Sequence, residues 1–259
     1  MICRLCGGSD LFFFFAGGGN QEFKYYRCQD CKLVNYDLST GHDQSKYSAT
    51  YISPRDNTAK PNKDQTDSYR YLSKFARQPG RMLDIGCYNA KILYLAKQDG
   101  WDVQGLDLSP ELAAQVKRDV DIDITVQDFL EYEPTEKFDV VILRHVLEHL
   151  IDPLQTMSKI KLLLNDGGLC LIEIPNIDGH SKKVRRALTR MGIRKRKPTP
   201  PGEKPGHVNE YCRYSFNCLA KKTGFEVVDW RTYSSDPLTN FLYNHLKIGN
   251  KARALVRSV

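Results

Sequence analysis

Four cysteines in two pairs, Cys3-x2-Cys6 and Cys28-x2-Cys31, supply thiolates that can wrap one tetrahedral zinc ion. All four positions are Cys, so such a centre is closed and its role is structural. A second group of chemically able residues consists of acids at the ends of short apolar runs. Asp84 closes the run at 82–85, where a carboxylate can meet a cationic ligand group. Asp107 closes residues 103–107, where it can accept hydrogen bonds from a ribose. A third group centres on imidazoles: His145 and His149, with Glu148 between them, fall within five residues, and His207 stands apart. A neutral imidazole serves as a general base for a hydroxyl near neutral pH. On a helical turn His145 and His149 share a face, which opens a divalent-metal reading. In the alternative, Glu148 and His149 cap and pack a helix start and His145 alone reaches a ligand.

Behind these residues stand the elements that must position them. Residues 81–97, RMLDIGCYNAKILYLAK, begin as an apolar strand, turn at Gly86, and continue at helical spacing through Ile92, Leu93 and Leu95. A strand that turns tightly into a helix aims free N–H groups and the positive helix end at one spot. The nicotinamide fingerprint would need glycines at 86, 88 and 91, but Tyr88 and Lys91 stand there. The chain then alternates in period. Strands are expected at 103–107, 122–126, 138–143 and 169–174, with helices from Ser109-Pro110 and over 153–164 and a turn at 166–168. That alternation predicts a parallel sheet covered on both faces, with ligands at the carboxyl ends of its strands. A helix at 63–76, one at 215–222 and a strand at 225–230 follow from the same patterns.

The segment Leu83-Asp84-Ile85-Gly86 resembles motif I of class I S-adenosylmethionine (SAM) dependent methyltransferases, with Tyr88 and Ala90 at that motif's second and third glycines. The order of motifs along 81–175 is similar to the same family. The resemblance implies an α/β, Rossmann-like class I sheet and SAM as cofactor. It places Asp84, Gly86, Cys87, Tyr88, Asp107, Leu108, Asp128, Phe129 and Arg144 around SAM, with Asp107 at the ribose and Asp128 at the adenine amino group. His145, at the junction facing the transferring methyl, and His207, beside the acceptor, become base candidates. Residues 145–149 look like the Glu-x2-Glu-His segment of ubiquinone-pathway O-methyltransferases, with His145 replacing the first Glu, a softer set than magnesium prefers. The N-terminal cysteine pattern resembles the zinc ribbon that precedes the domain in bacterial sugar and small-molecule methyltransferases. It implies O-methylation of a sugar, nucleotide-sugar or glycan-related metabolite.

The 259 residues suit one α/β domain plus an appendage. The expected organisation is a ribbon over 1–40, and a linker with an N-terminal lid helix over 41–80. The SAM domain then spans 81–235 with a basic insertion at 176–206, followed by a helical tail over 236–259, in which a last antiparallel strand is left open. Tyr47 and Tyr51 either cover the cofactor or pack as part of a surface linker. Without an 18-residue apolar run or a charged-then-apolar leader, neither a membrane span nor a secretory signal is expected. Eight cysteines then point to a reducing, cytoplasmic setting. The net charge of +7 is concentrated: between Lys182 and Lys204 ten Lys or Arg face one acid, Glu203, so the rest of the chain is slightly acidic. Such a segment suits a phosphorylated or otherwise polar small acceptor, an anionic membrane surface met through 182–197, nucleic acid, or solvent alone. After strand four, amino-methylating nucleic-acid enzymes carry Asn/Asp-Pro-Pro-aromatic; this chain has Leu143-Arg144-His145-Val146, which disfavours that class.

Overall fold

A computed structural model describes residues 1–42, 63–193, 199, 204–233 and 249–259. Three short strands come first: β1 (Leu11–Gly17), β2 (Phe23–Cys28) and β3 (Val34–Tyr36). Helix α1 (Lys63–Leu72) leads to β4 (Arg81–Ile85), α2 (Lys91–Gln98), β5 (Asp102–Asp107), α3 (Pro110–Val120) and β6 (Ile124–Val126). Next come β7 (Phe138–Arg144), α4 (Pro153–Leu163), β8 (Leu164–Pro175) and α5 (His180–Arg190). The chain described ends with β9 (Asn209–Glu210), α6 (Arg213–Lys222), β10 (Phe225–Tyr233) and β11 (Lys251–Ser258).

Seven strands form one sheet in the order β10-β11-β8-β7-β4-β5-β6. The pairs β6–β5, β5–β4, β4–β7 and β7–β8 are parallel, while β11 runs antiparallel to both β8 and β10. The chain moves outward from β4 through β5 to β6, then returns to β4's other side with β7. This reversal opens a crevice at the carboxyl ends of β4 and β7, the place where doubly wound sheets take ligands. The helices start where local chemistry dictates. Ser109 accepts from the Leu112 N–H at 3.2 Å with Pro110 at the first turn, and Asp152 accepts from Leu154 and Gln155, both at 2.9 Å, with Pro153 following. Among the described residues no helix is long and apolar enough to cross a membrane.

Three expectations are corrected. Residues 251–258 are not part of a helical tail: they form β11, pushed between β8 and β10. Lys251, Arg253 and Arg257 recur at a spacing of two or four, as strand residues on one face do. Residues 236–248 lie outside the described residues, as do Tyr47, Tyr51 and 194–198. The ribbon is not confined to residues 1–40 either. Its sheet, β1-β2-β3-β9, takes its fourth strand from Asn209–Glu210, and Cys3, Leu5, Cys28, Cys31 and Leu33 share one buried cluster with Leu143, Tyr211 and Phe216. A hairpin this small buries too little to stand alone and is completed by the larger domain. The third correction concerns 166–168, where β8 continues through Gly167 at φ +73° with a register break instead of a separate turn.

Candidate active site

The crevice contains a cavity of about 270 Å³. Ile85, Gly86 and Tyr88 follow β4; Leu106, Asp107 and Leu108 end β5; Gln127, Asp128 and Phe129 follow β6; and Arg144, His145, Val146, His149 and Leu150 follow β7. Gly86 has φ +67°, and a Cβ there would come within 2.6 Å of Val146 Cγ2. Only glycine lets this turn pass so close to the β7 end. Tyr88 and Ala90 also sit in the left-handed region, at φ +47° and +48°. The backbone therefore keeps the conformation that glycine favours, although side chains are present, and strain is concentrated at the turn.

Asp107 is held as an acceptor. Its Oδ1 takes the Leu108 N–H at 2.8 Å and the Ser109 N–H at 3.2 Å, and its Oδ2 takes the Tyr88 N–H at 3.2 Å. Burial raises its pKa against the pull of these three donors. Asp128 is exposed, with Oδ1 accepting from the Leu130 N–H at 2.8 Å. Two residues expected around a cofactor do not line the cavity. Asp84 is buried behind it, its pKa pushed up to about 7 by burial. Cys87 turns its thiol into the apolar layer of Leu93 and Gly105, and its N–H bonds the Leu106 carbonyl. Arg144 lines the cavity but is also tied down, donating to Glu173 at 2.8 Å and to Asp64 at 3.1 Å. Burial alone would raise the Glu173 pKa; Arg144 and Arg253 instead hold it at about 2.

The histidines separate. His145 has φ +57° and precedes a 3-10 turn, Leu147–His149, so His145 and His149 do not share a helix face. His145 Nδ1 lies 3.3 Å from Glu148 Oε1, while its Nε2 is buried with no hydrogen-bond partner among the described residues. His149 instead packs edge-on against His207, ring centres 4.9 Å apart. His207 is not a lining residue; its Nδ1–H donates to Glu210 Oε1 at 2.9 Å, and Lys182 of α5 donates to Oε2 at 2.9 Å. Burial lowers the His207 pKa, but Glu210 outweighs it and the net shift is upward. Glu210 itself, despite burial, is held at about 2 by Lys182 and His207. Sequence reasoning missed Glu210 and Gln127; the i,i+3 spacing of His207 and Glu210 was the available signal.

At the N-terminus the Cys3 and Cys31 sulfurs are 3.4 Å apart, the Cys6 and Cys28 sulfurs 3.5 Å, and all four lie within 4.8 Å of one another. Bonds of roughly 2.3 Å to a tetrahedral zinc require sulfurs at nearly this spacing. The other four cysteines lie outside this cluster.

A family profile described as "Methyltransferase domain" matches residues 62–229. The chain therefore belongs to the methyltransferase family, and its fold is that of the class I SAM-dependent enzymes. Over 114 residues it is 31% identical to the ubiquinone biosynthesis O-methyltransferase of Xanthomonas campestris pv. campestris, a match covering 41% of this chain and 48% of that protein. The chain thus spans about half the length of the curated relatives it matches. Among solved structures it is similar to a SAM-dependent methyltransferase from Archaeoglobus fulgidus, with TM-score 0.56, 18% identity, and coverage of 75% of this chain and 93% of that one. It is also similar to the 1,6-didemethyltoxoflavin-N1-methyltransferase of Burkholderia thailandensis bound to S-adenosylhomocysteine (TM-score 0.54, 17% identity, 76% and 79% covered).

Proposed function

We propose that the protein transfers the methyl group of SAM to a hydroxyl oxygen of a small polar acceptor, a sugar, nucleotide-sugar or related metabolite. The observation that carries this reading is the cavity, lined by Asp107 on one wall and by His145 on another, the His145 Nε2 having no hydrogen-bond partner among the described residues. Bound SAM supplies a methyl group already activated on a sulfonium. The residues fit it: Gly86 leaves room for close backbone approach, and Asp107 still has lone pairs for ribose hydroxyls. Asp128, Leu108 and Phe129 form the wall expected to meet the adenine. Arg144, fixed between Glu173 and Asp64, shapes the wall beside His145. The remaining work of the chain is to align the acceptor, exclude water and take up a proton. His145 suits the last role, because Glu148 on Nδ1 leaves Nε2 free to accept it. The O-methyltransferase relatives support oxygen as the acceptor atom. We assign a structural zinc to Cys3, Cys6, Cys28 and Cys31 on their sulfur spacing. Calorimetry with S-adenosylhomocysteine tests the reading: binding in the micromolar range supports it, and no binding contradicts it. An acceptor screen by product mass, run with wild type and His145→Ala, then tests the base.

A further inference from the structure

The first cysteine knuckle does more than hold sulfur. Between its two ligands stands Arg4, whose backbone N–H donates to Asn35 Oδ1 at 3.0 Å. Its side chain reaches across to the far part of the chain: Nε donates to Asn209 Oδ1 at 3.0 Å, Nη1 to the Tyr36 carbonyl at 3.0 Å, and Nη2 to the Val208 carbonyl. Val208 and Asn209 are fully buried. The same short segment is gripped from its other side by the turn at the cavity. The Val208 N–H donates to the Glu148 carbonyl at 2.8 Å, Asn209 Nδ2 to the Leu150 carbonyl at 2.7 Å, and His149 Nδ1 to the Gly206 carbonyl at 2.7 Å. His149 and Leu150 line the cavity, and Glu148 holds His145. Ribbon backbone adds to the clamp, since Tyr36 N donates to Val208 O at 2.9 Å and Val34 and Asn35 pair with Glu210 and Asn209.

We infer that Arg4 is a positioning residue: carried by the Cys3–Cys6 knuckle, it pins residues 206–210 against the 147–150 turn and thereby sets the acceptor side of the cavity. The inference rests on the reading of that cavity as the methyl-transfer site. It makes the ribbon a strap of the active site instead of a separate partner-binding module. Several hydrogen bonds converge on one buried carbonyl and one buried amide, and a charged donor contributes more than a neutral one. A guanidinium is suited to the task because its planar fork can bond Asn209, Tyr36 and Val208 together.

The test is hydrogen exchange on the full chain, comparing wild type, Arg4→Met and Arg4→Lys, with zinc content and S-adenosylhomocysteine affinity measured on each. The expected result for Arg4→Met is unchanged zinc and nucleoside affinity. Exchange then rises about tenfold or more at residues 206–210 and 147–150, as the loss of a charged hydrogen bond implies. The β4 and β5 amides stay at the wild-type rate. The ¹⁵N resonance of His149 Nδ1 should move away from its protonated position, and Arg4→Lys should restore part of both effects. Unchanged exchange, or a rise spread evenly over the seven-stranded sheet, overturns the inference. If Arg4→Met does not fold, wild type stripped of metal by a chelator takes its place. A selective rise at the same amides supports the strap, and none overturns it. Failure of wild type to bind S-adenosylhomocysteine would remove the function proposed above without altering the exchange result.

Discussion

Gly86→Ala separates a close approach from ordinary backbone strain. At φ +67° an added methyl forces a left-handed alanine, costing about 1 kcal/mol. The same methyl would lie 2.6 Å from Val146 Cγ2, and making room for it in a packed wall costs roughly 1–3 kcal/mol more. The total of about 3 kcal/mol corresponds to a fall in melting temperature of ~6–12 °C for a chain of this size. Gly167→Ala is the control: φ is +73°, with nothing within 4 Å of the added carbon, so only the strain remains and the fall should be ~2–4 °C. Differential scanning calorimetry of both variants, and of Gly86→Ala combined with Val146→Ala, isolates the contact. The double variant lacks the Cγ2 methyl and should recover part of the loss. Equal melting temperatures for the two glycine variants would refute the contact argument.

Other outcomes follow from the same geometry. Glu173 is buried between Arg144 and Arg253 with its pKa held at about 2, below the ordinary 4.5, so its stabilising charge is fully present above pH 4.5 and is lost as pH falls toward 2. Acid unfolding of wild type should steepen across that window, while Glu173→Gln should flatten the dependence and lower stability at pH 7 by about 3 kcal/mol, read by urea titration. Cys28→Ser should drop the zinc content from one per chain to none and expose the β1–β2 hairpin to protease, with plasma emission spectrometry and limited proteolysis as the readouts. His145→Ala should leave S-adenosylhomocysteine affinity within about twofold of wild type while lowering turnover with an identified acceptor by about 10²-fold or more. Equal turnover in the two proteins would remove the proton-accepting role.

Much of this architecture is written locally. Ser109-Pro110 and Asp152-Pro153 announce helix starts through caps that act within three residues, and the apolar runs ending at Ile85, Asp107 and Leu143 mark buried parallel strands. The convergence of Gly86, Asp107 and Asp128 on one cavity follows, because neighbouring parallel strands deliver their carboxyl ends to the same edge. What escaped reading is long-range. β11 is not legible as a strand because its cations answer distant acids: Arg253 pairs with Glu173, Lys251 with Asp64 and Arg257 with Glu226. The sharing of a face by His145 and His149 failed because the chain turns at φ +57° instead of starting a helix. Nor does local sequence reveal that Arg4 bonds residues about two hundred positions away, or that Asp64 of α1 pairs with Arg144. Cys87 falls in the cofactor set by its place in the turn, yet Gly105 of β5 and Leu93 of α2 take its side chain.

The central claim is that the sheet-end crevice holds the nucleoside of SAM through Asp107. Isothermal titration of wild type and Asp107→Ala with S-adenosylhomocysteine addresses it most directly. The account predicts micromolar binding to wild type and a loss of about ten- to hundredfold in the variant, the worth of hydrogen bonds to a charged acceptor. Identical affinity in the two proteins, or no heat from either, would contradict it.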